Sequence, residues 1–323
     1  MMKKILIFIF IILPATSFAY TEVTDGGQLS AEVSPQNPGA FTNVYIHLVS
    51  FEVDLDRSNI IWTVNGRKQQ EGIGQDDLQF VTGAIGKKTV VSAEVISQDG
   101  KNIKKQISII PAEADLIWQS DGYVPPFYRG KSLATVGNNI KLVAIPDFIT
   151  ENGVRLDPDK LVYKWSVNGE DITSGYGQSS ATIGINDQIS EVDIFVDISN
   201  LDKTLRATKS IAISPTNPIL LFYETNPLLG TLYNTSLFGN LQMTEAESTI
   251  KVEPYFYNTN KVSYAWGINN EDPDFSAGTL PELIVRQPRD SSGEATITAS
   301  VATVYQSIKK SITIKFNQST IGF

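Results

Sequence analysis

Three tryptophans, Trp62, Trp165 and Trp266, open the same short string: WTVNG to Gly66, WSVNG to Gly169 and WGINN to Asn270. A motif that returns after roughly one hundred residues marks a tandem array, and an array must be read repeat by repeat. In each copy an apolar strand end runs into an Asn-bearing turn, a position where Asn and Gly accept a positive φ and let the chain reverse. Ten and twelve residues beyond each Trp stand Gly72 and Gly74, Gly175 and Gly177, then Ser276 and Gly278.

The repeat extends further along each copy. At 29, 31 and 33 residues past the Trp lie Val91, Ala93 and Val95; Ile194, Val196 and Ile198; Ala295, Ile297 and Ala299. All are apolar and alternate with neighbours such as Ser92, Glu94, Asp197, Thr296 and Thr298, the period of a strand with one face in a core. Closing strands follow as KQISI (Lys105 to Ile109), KSIAI (Lys209 to Ile213) and KSITI (Lys310 to Ile314). Opening strands precede each Trp, carrying Val44, Ile46 and Leu48; Ile140, Leu142 and Ala144; Ile250 and Val252. Short alternating strands between Gly, Pro, Asn and Asp turns, without helical periodicity in the mature chain, predict an all-β protein of three tandem immunoglobulin-like β-sandwich domains. Trp62, Trp165 and Trp266 are then structural core, each a large ring between two inner faces.

Tyr163, Trp165, Val167, Asn168 and Gly169, with Tyr264, Trp266, Ile268 and Asn269, resemble the YxW strand and turn of PKD-type and related Ig-like repeats of bacterial surface proteins. The resemblance covers each repeat. The chain departs from the PKD pattern where NGRKQ, NGEDI and NNEDP replace an acidic, glycine-rich turn, and where Ile60 takes the place of the first Tyr. The stretches Tyr123 to Leu133 and Phe222 to Gly230 also resemble openings in uncharacterised exported bacterial proteins with several Ig-like modules, and that resemblance implies no activity.

The N-terminus reads as an export signal. Lys3 and Lys4 precede the apolar run Ile5 to Leu13, Pro14 breaks it, and Ser17 and Ala19 fit cleavage after residue 19. The run is too short to span a bilayer, which takes about 20 apolar residues, and an uncleaved anchor is the alternative. The expected plan is a signal peptide at 1–19 and domains at 20–112, 113–215 and 216–323, with no transmembrane segment after cleavage. Localisation follows as extracellular, cell-surface or periplasm-like. The proline-bearing links Ile110 to Ala112 and Ser214 to Pro218 restrict hinge freedom, which predicts an elongated rod.

The chain carries 26 basic and 35 acidic residues and no cysteine, so disulfides are excluded and nucleic acid is disfavoured as a partner. No GxSxG elbow, phosphate loop, dinucleotide turn or zinc motif occurs, and no catalytic, cofactor or metal residue is assigned. His47, the only histidine, falls on the outward register of its strand and reads as a solvated residue. Acidic turns at Phe51 to Asn59, Arg155 to Lys160 and Asn269 to Asp274 offer oxygen donors but lack EF-hand spacing. What the repeats do not share is an aromatic, proline-rich opening. Tyr123, Phe127 and Tyr128, with Tyr255 and Tyr257, are candidate residues of an interdomain or interaction surface. One reading packs them against their own sandwich or the neighbouring one; the other exposes them as a platform for a sugar or peptide, as in a carbohydrate-binding accessory module. The expected function is non-catalytic, structural or adhesive, with an envelope or surface protein, or a polysaccharide, as partner.

Overall fold

The computed structural model describes residues 29–186, 190–258, 262–269, 271–275, 280–287 and 292–316. The signal segment therefore lies outside the described residues, as do Asn270, Ser276 and Gly278. Each repeat builds two sheets. In the first, β1 (Ser30–Ser34), β2 (Asn43–Val49) and β5 (Asp77–Val81) form one sheet in the order β1-β2-β5. The other, in the order β4-β3-β6-β7, holds β3 (Asn59–Val64), β4 (Arg67–Ile73), β6 (Thr89–Ile96) and β7 (Asn102–Ile109). The second repeat copies this plan. Its sheets run β12-β9-β8 and β11-β10-β13-β14, from β8 (Glu113–Ser120), β9 (Asn139–Asp147), β10 (Val162–Val167), β11 (Glu170–Tyr176), β12 (Ser180–Gly184), β13 (Val192–Ser199) and β14 (Arg206–Ile213).

The third repeat departs from it. One sheet runs β16-β15-β18-β20, from β15 (Ile219–Asn226), β16 (Gly230–Thr231), β18 (Glu247–Tyr255) and β20 (Glu282–Arg286). The other runs β17-β22-β21-β19, from β17 (Asn240–Met243), β19 (Ser263–Ile268), β21 (Gly293–Ala302) and β22 (Ser307–Phe316), with β17 parallel to β22. The chain is thus a string of β-sandwiches. Compactness groups it into two units, one reaching to Glu113 and including 147–156 and 202–207, the other holding 114–146, 157–201 and 208–323.

The alternation seen in the sequence is the alternation of burial. Val44, Ile46 and Leu48 face Trp62 and Val91, Ala93 and Val95 in one core, and Ile140, Leu142 and Ala144 are buried in the next, as are Ile194, Val196 and Ile198. Trp62 and Trp165 are fully buried, whereas Trp266 is half-buried. The difference has a structural reason: β3 and β10 are flanked on both sides, but β19 is the edge strand among the described residues of its sheet.

Each Trp also donates a hydrogen bond that the apolar pattern does not announce. Trp62 Nε1 donates to the carbonyl of Gln75 at 2.8 Å, Trp165 Nε1 to Gln178 at 2.9 Å and Trp266 Nε1 to Leu280 at 3.0 Å. An indole N–H buried without an acceptor would be costly, so the carbonyl completes the site. The turn Asn has a similar double role. Asn65, Asn168 and Asn269 take φ near +50°, and their Oδ1 atoms accept the amides of Val90, Asp193 and Thr296. Gly74 and Gly177 recur because both lie at positive φ, with a Cβ falling 3.2 Å from the Asp56 carbonyl oxygen and 3.0 Å from that of Asp159.

Candidate functional site

Within the second compact unit, the segments that the repeats do not share converge on a joint between the second and third sandwiches. After β8 the chain leaves its own sheet, and Tyr123 makes backbone bonds to the third repeat: its amide donates to Tyr257 O at 2.7 Å, and its carbonyl accepts from the Phe256 amide at 2.6 Å. A side chain cannot intrude here, since a Cβ on Gly122 would lie 2.7 Å from Ser132 Oγ and 2.8 Å from the Phe256 carbonyl oxygen.

At the centre is Glu253, a carboxylate with 3% exposure. Tyr123 donates its hydroxyl to Oε2 at 3.1 Å, Tyr233 donates to Oε1 at 2.6 Å, and Lys251 Nζ lies 2.8 Å from Oε1. A buried anion is tolerated only when paired and fully hydrogen-bonded, and Glu253 has one cation and two phenols. Burial first, then the Glu253 carboxylate, pushes the Tyr123 phenol well above the usual tyrosine range. Burial and the bond to Glu253 raise Tyr233 as well. Burial opposes the charge of Lys251, but its bonds to Glu253 and Tyr233 outweigh that and hold the ammonium above the ordinary lysine range. The donors therefore keep their protons at physiological pH.

An aromatic cluster surrounds this polar centre. Phe127 lies 4.1 Å from Tyr233 between ring centroids, and Tyr128 meets Tyr255 and Phe256 edge-on at 5.8 and 5.7 Å. The hydroxyls of Tyr223 and Tyr255 are 2.6 Å apart. On the far side Asn138 Nδ2 donates to the Phe256 carbonyl at 2.8 Å, Asn258 Nδ2 to Gly137 O at 2.7 Å and Gln306 Nε2 to Val136 O at 3.1 Å.

Tyr123, Phe127, Tyr128 and Tyr255 thus come to one place, but not as an open row, while the ring of Tyr257 enters the core of the third sandwich. Tyr255 and Tyr257 are buried, Tyr123 and Tyr128 are half-buried, and Phe127 keeps 38% exposure while stacking on Tyr233. Phe127, Tyr128 and Tyr255 turn their rings toward other aromatic rings. Glu253, Tyr233 and Lys251 went unnoticed in the sequence. The signal was present as Lys251 and Glu253 flanking a core valine in β18, with Glu253 on the face where a charge is expected outside.

His47 does face outward, on β2, but it is engaged: Nδ1 lies 2.7 Å from Asp77 Oδ1 and 3.9 Å from Asp76 Oδ2. No helix among the described residues is long and apolar enough to cross a membrane.

No protein-family model and no curated protein matches the chain. Among solved structures, it is similar to the fibronectin(III)-like modules of Clostridium thermocellum CbhA, at 13% identity over 58% of this chain and 94% of that one, with a TM-score of 0.27. It is also similar to three N-terminal domains of the bacteriophage RB49 highly immunogenic outer capsid protein, at 11% identity over 91% and 99%, TM-score 0.27. A third is the Bacteroides ovatus mixed-linkage glucan utilisation locus protein SGBP-B in complex with a mixed-linkage heptasaccharide, at 14% identity over 93% and 70%, TM-score 0.20. At these scores the likeness bears on no individual residue.

Proposed function

We propose that this chain is an exported, non-catalytic structural or adhesive component of the cell envelope or surface, and that its partner is an envelope or surface protein. The observation that supports this reading is the joint: the parts of the chain that differ between repeats fix the second and third sandwiches to one another through Tyr123, Glu253 and Phe256. A chain that spends its largest aromatic segments on holding modules together presents their outer faces at a set angle. That suits a spacer or an adhesive support. In this reading residues 1–19 are a cleaved signal, and the sandwiches divide near residues 112 and 215.

Cell fractionation with mass spectrometry of the recovered protein tests the export, and chemical cross-linking on intact cells tests the partner. The expected result is a chain outside the cytoplasm beginning at Tyr20, reproducibly cross-linked to one envelope or surface protein. A cytoplasmic chain retaining residues 1–19, or one cross-linked to no such protein, overturns the reading.

A further inference from the structure

The outer face of the sheet β1-β2-β5 carries a cluster that the fold does not require. Register places Glu32, His47 and Asp77 side by side across the three strands. Asp76, in the turn before β5, brings a second carboxylate toward the same imidazole, so that His47 Nδ1 and one oxygen from each aspartate all lie within 4.8 Å of one another. Tyr45 supplies a further hydrogen bond to Asp77.

The other sandwiches are internal controls. In all three, the opening strand donates one amide to the same turn: Leu48 N to Asp76 O, Ala144 N to Ser179 O and Val252 N to Pro281 O, each close to 2.9 Å. The positions of His47, Asp76 and Asp77 are therefore held by Val143, Ser179 and Ser180 in the second sandwich, and by Lys251, Pro281 and Glu282 in the third. The fold uses the backbone of this turn and is indifferent to its side chains. A cross-strand ion pair would need only His47 and Asp77. Asp76 adds a second carboxylate that repels the first, and register sets Glu32 on the other side of the ring.

We propose that His47, Asp76 and Asp77 bind a divalent transition-metal ion, zinc in the first place, with water completing the shell. One imidazole with carboxylates is a donor set zinc accepts. Tetrahedral legs of about 2.1 Å put neighbouring ligand atoms about 3.4 Å apart. The observed 2.7 and 3.9 Å separations bracket that spacing, so a small rotamer adjustment admits the ion. Binding requires the imidazole proton on Nε2, leaving the Nδ1 lone pair for the metal. The backbone behind the aspartates is fixed, because Gln75 O holds Trp62 Nε1 and Asp76 O holds the Leu48 amide. This inference is independent of the adhesive reading.

The test is zinc titration of the untagged full chain, followed by calorimetry and by NMR of the imidazole, which the lone histidine makes a single signal. One equivalent of zinc is expected to shift that signal. Asp76→Ser, the second sandwich's own residue, should leave the thermal melt unchanged and weaken zinc at least about tenfold, and His47→Val should abolish binding. If zinc in large excess leaves the imidazole signal unmoved, the site is an ordinary cross-strand ion pair and the proposal falls; it falls equally if Asp76→Ser binds as tightly as the parent or if calcium binds more tightly than zinc.

Discussion

Tyr123 and Glu253, 130 residues apart in the chain, are joined by a hydroxyl-to-carboxylate hydrogen bond of 3.1 Å. One belongs to the segment that leaves the second sandwich, the other to the third sandwich's β18. Because Glu253 is buried, losing a donor leaves a carboxylate oxygen that water cannot reach.

Tyr123→Phe should therefore destabilise the second unit by about 1.5–3 kcal/mol, the usual worth of a hydrogen bond to a charged group. Glu253→Gln should cost a similar amount, and the double variant less than the sum, since the two share one interaction. Urea denaturation of the four proteins measures the coupling. Additive losses would show that the bond contributes nothing.

Trp165→Ala and Trp266→Ala should separate. The first removes a fully buried ring and should cost about 3–5 kcal/mol; the second removes a half-buried ring on an edge strand and should cost clearly less. Calorimetric melts of the two variants give the comparison, and equal losses would contradict the burial difference.

High pH should loosen the joint only above the range in which ordinary tyrosines begin to ionise. Burial, and for Tyr123, Tyr233 and Tyr255 bonded neighbours too, hold Tyr123, Tyr233, Tyr255 and Tyr257 above the ordinary tyrosine value, while burial with Asp159 and Asp157 nearby raises Tyr163 to about 12. Raised folded values mean that the stability is complete below the unfolded tyrosine pKa near 10. It is lost progressively as pH rises from there through the folded values. Absorbance titration near 295 nm should show a group of phenols that ionise only as the protein unfolds. Simultaneous ionisation of all tyrosines near pH 10 would contradict it.

Asn168 should tolerate Gly better than Ala. Glycine keeps the positive φ and loses only the Oδ1 acceptor of the Asp193 amide, whereas alanine loses both and adds about 1 kcal/mol of left-handed strain. Chemical denaturation of Asn168→Gly and Asn168→Ala ranks them, and the reverse order would refute the backbone argument.

Period-two burial is legible in a sequence because each apolar position reports its own face. Val91, Ala93 and Val95 announce a core strand without knowledge of their partners. The joint was only half legible, because its meaning depends on pairs such as Phe127 with Tyr233 and Tyr123 with Glu253, which come from different repeats. An aromatic run looks the same whether it meets solvent, sugar or another sandwich. The third repeat hid its differences for a related reason: the motif around Trp266 matches the other two, but what flanks β19 is set by how the chain beyond it pairs. The turn at Asp76 and Asp77 carries no signal of its own in the sequence, since only the strand register brings His47 beside it.

The parallel pairing of β17 with β22 gives the third sandwich a mechanical character. Asn240 to Met243 on β17 lie alongside Thr313 to Phe316 on β22, the last described strand of the sandwich. A tug on the two ends of parallel neighbours drives them past one another lengthwise, so their bonds must fail together rather than unzip singly. Tension applied between β17 and β22 would meet this pair as a clasp.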